Sequence, residues 1–509
     1  MSAAILADFT TDPYMHQLKE FEVSADMSAR ALLWQMRSGK SKVIIDTACH
    51  QFKEGTIDTV LLFAPNGVHE NWIRRELPTH HWHTVGRKSL VWRTKVAGMT
   101  AENEGLSKAA LEQWKERRQE WWDKAKTMIT GKDRTALSWF AFNSESMTRP
   151  DVRRVVARIV RNRKVLVVFD ESHDYRSSGS KRTKMARALA KRCVSKRILT
   201  GTVVTNSPLH AFSQYELLQP EALGFSRFGD FKDHYAEYKE KRNRRGQSYP
   251  VLDHYKNLDE LQARMAPWSS VVLRKDCKDL PDVVCSARRI ELSDEQLRVY
   301  RELHKQFTID IGGERVSIGE NSARLMKLQQ VVSGFLIDEF GDVYDIPGPN
   351  PRLEALSDEV YLSPGKVIIW CTFQHDMDQV AARLRRDGHK IVEYHGRTSD
   401  DEKARVRELF APRAENDIKA LVGHPKSGGQ GLNFSAASQI MWYSHTFDAI
   451  IRGQADERAT EIGGKNIPLL DLVAPGVDEY ILKTVSGKTS IAESLAGQGM
   501  RDILRGTKL

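Results

Sequence analysis

The chain has 509 residues, 40% of them hydrophobic and 28% charged, which leaves room for two to four domains with large apolar cores and excludes a disordered tail protein. Five scattered cysteines (Cys49, Cys193, Cys277, Cys285, Cys371) argue against a disulfide scaffold or a clustered zinc site and fit a reducing compartment. The net charge of +10 hints at an anionic partner without specifying one.

In chain order, Met1–Pro13 carries Asp8 and Asp12 and has no apolar segment of secretory type, so a cytoplasmic location is expected (host cytoplasm for a phage protein). No apolar run reaches about 18 residues, so no membrane span is expected. Gln35-Met36-Arg37-Ser38-Gly39-Lys40-Ser41 then leads into an apolar helix over Val43–Cys49. Val60–Ala64, Val165–Phe169, Val367–Trp370 and Ile440–Tyr443 read as strands apolar on both faces, the pattern of parallel sheets covered by helices. Amphipathic stretches alternate with them. One, over 107–129, places Trp121 and Trp122 on an inserted helix whose tryptophans are expected to pack on the sheet. Another, over 151–164, lines up Val152, Val155, Val156, Ile159 and Val160. The pattern occurs twice, at about 13–207 and 353–479. It predicts an α/β fold with a mainly helical region between the two blocks.

Gly39-Lys40-Ser41 at a helix start can hold phosphate: backbone N–H groups point at the anion, Lys40 adds charge, and Ser41 can ligate Mg²⁺. The full phosphate-loop pattern wants glycine five positions before Gly39, where Trp34 stands. Downstream, Val165–Phe169 delivers Asp170 and Glu171 at a strand end, the arrangement in which one carboxylate serves Mg²⁺ and the other deprotonates the attacking water. His80, His81 and His83 lie together but lack an accompanying ligand set, and are expected to form a surface loop.

Asp170-Glu171-Ser172-His173 resembles motif II of superfamily-two helicases, and other motifs follow in order. Pro13, Tyr14, His16 and Gln17 resemble the Q motif. Phe63-Ala64-Pro65, then Asn71-Trp72 and Glu76, resemble motif Ia of the Swi/Snf branch. Thr200-Gly201-Thr202 with Asn206 and Pro208 resembles motif III. Leu273-Arg274-Lys275 with Leu280-Pro281, followed by Gln296 and Tyr300, resembles the Swi/Snf entry to the second lobe. His395-Gly396 with Phe410 is similar to the segment after motif IV, and Ser427-Gly428-Gly429-Gln430-Gly431-Leu432-Asn433 to motif V. Gln454 and Arg458 fall at motif VI, and Val477-Asp478-Glu479-Tyr480-Ile481 with Lys488 resembles the segment after it.

The resemblance implies two RecA-like parallel-sheet lobes with helical insertions, of the Swi/Snf ATPase type in a compact bacterial or phage-like form. The implied layout is lobe one over 1–207 with an insertion at about 95–135, a helical protrusion over 208–270 and a connector over 271–291. A second helical protrusion (292–352), lobe two (353–490) and a tail (491–509) follow. ATP and Mg²⁺ are the implied cofactors. Gln17, Gly39, Lys40, Ser41, Gln454 and Arg458 would bind nucleotide, with Gln17 reading adenine. Ser41 and Asp170 would hold Mg²⁺, Glu171 would activate water, and Arg458 would neutralise charge growing on the γ-phosphoryl oxygens. Thr200, Thr202, Gly429 and Gly431 would couple closure to movement on DNA.

The sequence departs from this pattern at Glu461, where motif VI usually carries a second arginine, at Arg37 in motif I and at Val203 in motif III. Arg458 alone, a substitute cation such as Arg452 or Lys465, or an ATP-gated DNA clamp with little hydrolysis are the readings Glu461 leaves. Basic clusters lie at 181–197 (Lys181, Arg182, Lys184, Arg187, Lys191, Arg192, Lys196, Arg197), at Lys239–Arg245 (with Arg242, Arg244 and Arg245) and at Arg383, Arg385 and Arg386. Few aromatics interleave with them. That absence, together with the Swi/Snf resemblance, favours a double-stranded DNA track held through phosphates without sequence specificity, and translocation on duplex is what the resemblance implies. The expectation is a monomeric duplex-DNA translocase acting in replication, recombination or repair. A forked-DNA helicase or branch-migration enzyme is the alternative.

Overall fold

Strands apolar on both faces assemble into two parallel sheets, each in its own unit: Met1–Tyr238 with Leu252–Cys277 and Ile491–Leu509, and Lys239–Val251 with Lys278–Ser490. The computed structural model describes residues 7–35, 38–92, 108–131, 133–201, 207–242, 248–272, 283–307, 318–338, 340–411, 414–428, 434–458 and 467–496.

The first sheet holds β1 (Ala29–Trp34), β2 (Thr59–Ala64), β3 (Gly86–Val91), β4 (Ala136–Asn143), β5 (Val165–Asp170), β6 (Ser195–Leu199) and β9 (Ser269–Val272). Their spatial order is β3-β4-β2-β5-β6-β1-β9, with every pairing parallel. Every residue of β1, β2 and β5 is buried, so both faces are covered. On one face Ala31, Leu33, Leu61 and Phe63 share a core with Val152, Val156 and Ile159 of the helix Pro150–Asn162. Their alternate neighbours Leu32, Val60 and Leu62 are equally buried on the other.

The expected inserted helix is present as Lys108–Thr130, and Trp121 and Trp122 pack against the core of the first sheet. Trp121 and Trp122 meet Trp92 with ring centroids 5.0 and 5.8 Å away. The stretch 208–270 departs from a purely helical protrusion. Phe212, Leu217, Leu218, Phe231, Leu261 and Met265 enter the first unit's core. Part of the stretch is an antiparallel hairpin, β7 (Ala236–Arg242) with β8 (Ser248–Tyr255). Ala236–Arg242 is mostly charged, with Tyr238 its one aromatic and Glu237, Lys239, Glu240 and Arg242 exposed, so neither face of this strand shows the apolar period that marks a buried one. The connector 271–291 begins and ends in sheet strands. β9 pairs with β1, and β10 (Val283–Arg289) pairs with β17 (Ile467–Val473).

The second sheet runs β10-β17-β16-β13-β15-β14, again parallel throughout, with β13 (Lys366–Trp370), β14 (Ile391–Tyr394), β15 (Ala420–Gly423) and β16 (Ala437–Trp442). Two cores cover its faces, one around Val367, Ile369 and Val380, the other around Ile368, Trp370 and Phe434. Helices Asp294–Phe307 and Ile318–Ser333 pack with Val477, Ile481 and Val485 of the helix Val477–Ala496, so 292–352 is tied to the C-terminal helix. A second antiparallel pair, β11 (Phe335–Ile337) with β12 (Val343–Asp345), follows Ile318–Ser333. Among the described residues, no helix is long and apolar enough to cross a membrane.

One buried ion pair anchors that C-terminal helix. Arg352 and Asp478 are 1% and 0% exposed in their side chains and bonded to each other. Arg352 also donates to the Tyr443 carbonyl at 2.9 Å, and Asp478 accepts from the Ala474 N–H at 2.9 Å. Removing one partner strands a charge in the core. Asp478→Ala should therefore lower stability by about 3–5 kcal/mol. Urea unfolding measures it, and a loss below about 1 kcal/mol would mean that water reaches Arg352.

Candidate active site

The parallel order of the first sheet brings three strand ends to one edge. β6 lies between β1 and β5, so the segments leaving β1, β5 and β6 converge there. After β1 comes the phosphate loop. Ser38 closes its turn by donating to the Gln35 carbonyl at 2.7 Å, and Gly39 takes φ +80°, opening the helix Lys40–Lys53. Side chains do not cap that helix start, so its first N–H groups face outward from the loop. Glycine is required at position 39 twice over. Its φ is one that L side chains rarely adopt, and a Cβ there would sit 2.0 Å from Gln17 Nε2.

Gln17 is buried and braces the loop. Its Oε1 accepts from the Tyr14 N–H at 2.8 Å, and its Nε2 donates to the Ser38 and Gly39 carbonyls at 3.4 Å each. His16 Nε2 pairs with the Ser38 carbonyl at 2.8 Å. The residue expected to read adenine thus also supports the phosphate loop. Lys40 Nζ donates to the Trp34 carbonyl at 2.7 Å and the Gln35 carbonyl at 3.3 Å, and Ser41 follows in the first helical turn.

At the end of β5, burial and the neighbouring charge of Glu171 push the Asp170 carboxyl up to about 6. A hydrogen bond from Trp72 and the charge of Lys40 oppose that rise, which places the loop's lysine within electrostatic reach of the acidic pair. Trp72 Nε1 donates to Asp170 Oδ2 at 2.9 Å, and the Glu171 N–H donates to Oδ1 at 3.0 Å. Glu171 itself adopts φ +51°, ψ +56°, a left-handed conformation costly for a side chain with a Cβ. That turn lays its carboxylate 3.2 Å from His173 Nδ1. Burial alone would lower the His173 pKa, but the Glu171 hydrogen bond and charge raise it. His173 Nδ1 also lies 3.5 Å from Thr200 Oγ1, and the Ser172 hydroxyl donates to Gln214 Oε1 at 2.7 Å. The end of β5 is thereby linked to Thr200, the residue after β6.

These residues fit a nucleotide with a divalent cation. Two adjacent buried carboxylates, one held partly toward its neutral form by the other, are hard oxygen donors of the kind that hold a divalent cation. The free helix start and Lys40 suit phosphates.

In the second unit, the helix Ala449–Asp456 carries Gln454, and Arg458 follows it; both are buried. Arg452, one of the substitute cations, is committed elsewhere. It donates to Asp471 at 2.7 and 3.0 Å and to Asp456 at 2.9 Å, and lies 4.2 Å over the Trp442 ring. Thr202, Gly429, Gly431, Arg244 and Arg245 lie outside the described residues, as do Arg37, Glu461 and Lys465.

The basic clusters separate on the structure. Lys181 and Lys184 are exposed on the helix Lys181–Ala190, while Arg182 approaches Asp174 at 3.8 Å. Arg242 is exposed on β7. Arg197 is not a surface cation: it is wholly buried and donates to the Ser24 and Met27 carbonyls at 2.9 and 2.8 Å. Arg383 and Arg385 are paired with Asp387 and Glu393. One basic face escapes a search for charge runs. Arg153, Arg154, Arg158 and Arg161 are exposed along Pro150–Asn162, spaced by the valines that face the core. His80 bonds Thr11, and His81 packs beside Trp139.

Two parallel α/β units, one carrying a Gly-Lys-Ser helix start beside an acidic strand end, define a class of two-lobed α/β protein with a candidate nucleotide site. Comparison with known proteins sharpens this. Residues 27–334 match the SNF2-related domain, and residues 351–463 match the helicase conserved C-terminal domain. The chain belongs to the SNF2-related ATPase family. It is similar to an uncharacterized ATP-dependent helicase of Mycoplasma genitalium, 23% identical over 64% of this chain and 30% of that protein. It is also similar to the transcription regulatory protein SNF2 of Saccharomyces cerevisiae, 23% identical over 66% of this chain and 21% of that one. The chain thus spans less than a third of the length of either relative. Among solved structures it matches the Sulfolobus solfataricus SWI2/SNF2 ATPase core in complex with dsDNA, with a TM-score of 0.41 and 19% identity over 96% of this chain and 93% of that one.

Proposed function

We propose that this chain is an ATP-driven translocase on double-stranded DNA, hydrolysing ATP and working in replication, recombination or repair. The observation that carries the reading is the meeting of Lys40, Asp170, Glu171 and the His173–Thr200 link at one sheet edge. Membership of the SNF2-related family supports it.

The loop N–H groups and Lys40 hold the phosphates, with Gln17 keeping the loop in shape. Bound Mg²⁺, held by Asp170 and Ser41, would neutralise phosphate charge. Glu171 takes the proton of the attacking water, and His173 fixes the orientation of its carboxylate. Arg458 is the cation proposed for the transition state. Because His173 touches both Glu171 and Thr200, a shift at Thr200 alters the proton acceptor. That is a physical route between track and chemistry. Exposed cations at Lys181, Lys184 and Arg242 are proposed to meet phosphates, with Arg244, Arg245, Thr202, Gly429 and Gly431 completing the DNA and coupling sets. Binding by such contacts is insensitive to sequence and falls steeply with salt.

Steady-state ATP hydrolysis with and without duplex DNA tests the reading. Wild type should be stimulated, and Lys40→Ala should remain at background in both conditions. Equal rates for the two proteins on duplex would reject the motor and leave an ATP-gated clamp. Triplex displacement without fork unwinding then distinguishes a translocase from a helicase.

A further inference from the structure

Trp72 begins a π-helical turn, Trp72–Glu76, set between the short helices Val68–Asn71 and Leu77–His80. The turn is closed by the Leu77 N–H donating to the Trp72 carbonyl. Such widened turns inside helices are uncommon and concentrate at functional sites. This one has a definite consequence. It turns a tryptophan inward, 1% exposed, with its only polar atom on Asp170 Oδ2 at 2.9 Å. The other oxygen, Oδ1, is held by the Glu171 N–H at 3.0 Å. Two donors from separate segments therefore define the plane of the carboxylate. A single donor would leave it free to rotate about the Cβ–Cγ bond, because terminal sp³–sp² torsions are broad. The ordinary alternative is that Asp170 merely satisfies a buried indole N–H. The two roles differ in which partner needs the other.

We infer that Trp72 is a positioning residue: its indole N–H orients the Asp170 carboxylate for the divalent cation that accompanies the nucleotide. The inference rests on the ATPase reading of the site, but its first test does not require turnover. Residues that hold a metal's own ligands are worth about 10- to 100-fold in metal affinity or activity.

Mn²⁺ serves as the probe, counted by electron paramagnetic resonance with the full chain and a non-hydrolysable ATP analogue. Trp72→Phe keeps a ring in the pocket and removes the N–H. It should bind Mn²⁺ about tenfold more weakly with an unchanged melting temperature. In ATPase assays the Mg²⁺ concentration for half-maximal rate should rise by the same factor, and excess Mg²⁺ should restore kcat while the KM for ATP stays put. Wild-type Mn²⁺ affinity in Trp72→Phe, or a rate that no Mg²⁺ concentration restores, overturns the inference. If Trp72→Phe does not fold, Trp72→His, which retains a ring N–H, is compared with Trp72→Leu. Equal Mn²⁺ affinity in those two overturns it as well. Absence of duplex-stimulated turnover in wild type would reject the motor reading and leave the Mn²⁺ result to stand by itself.

Discussion

Glu171→Gln is expected to reduce duplex-stimulated ATP turnover by about 10²- to 10⁴-fold, the range supplied by a positioned general base, while leaving ATP and DNA binding within a few-fold of wild type. The substitution preserves size and one hydrogen-bond acceptor facing His173 and removes only the ability to take a proton. It also removes the charge that helps push the Asp170 carboxyl up to about 6, so Asp170 should serve a cation at least as well in the variant. The expected phenotype is thus a trap: nucleotide bound, duplex bound, chemistry stopped. Filter binding with labelled ATP and a phosphate-release assay separate binding from chemistry. A variant within tenfold of the wild-type rate would assign the base to another residue. The left-handed backbone at Glu171 adds weight. A position that strains a Cβ-bearing residue persists only where its surroundings hold it, and here burial, His173 and the Asp170 contact do so.

Arg458→Ala carries the second large effect, a fall of about 10³-fold in kcat with little change in ATP affinity, because a transition-state cation acts on charge absent from the ground state. The expectation is specific to Arg458. Arg452, its nearest competitor in sequence, is tied to Asp456 and Asp471 inside the second unit. Arg452→Ala should accordingly lower stability, since it takes the bidentate partner from the buried Asp471, while Asp456 keeps the hydrogen bond from the Trp442 indole at 2.7 Å. A kcat loss in Arg452→Ala with an unchanged unfolding midpoint, combined with normal turnover in Arg458→Ala, would reverse the assignment. Glu461→Arg completes the set. A gain in kcat would show that the acid at that position limits the rate, and no gain would show that Arg458 suffices.

Most of the candidate site was legible because its chemistry sits in short local patterns. Gly39-Lys40-Ser41 before an apolar helix and Asp170-Glu171 after an apolar strand declare themselves within a few residues. What was missed depends on contacts between distant segments. Trp72 and Asp170 are 98 positions apart, and nothing local to either points to the other. The same holds for Arg197, whose place in a basic run suggests a surface cation. β6 carries it inward, to carbonyls more than 160 positions away. The basic face of Pro150–Asn162 was hidden for the opposite reason. Its arginines are interrupted by core valines, so charge collects on the helix surface and not along the chain.

By itself, then, the sequence determined the class: two α/β blocks, a phosphate loop, an acidic strand end, and the ordered motifs of an SNF2-related ATPase. Apolar period and local turn chemistry are properties of neighbours along the chain, and these suffice for elements and motifs. Only the tertiary structure decided that β9 and β10 at the ends of the connector complete the two sheets, and that the stretch after Pro208 builds core. It alone decided which cations stay at the surface and which partners orient Asp170 and Glu171. Strand pairing and burial join residues far apart in sequence, and the energy of a buried charge depends on those neighbours.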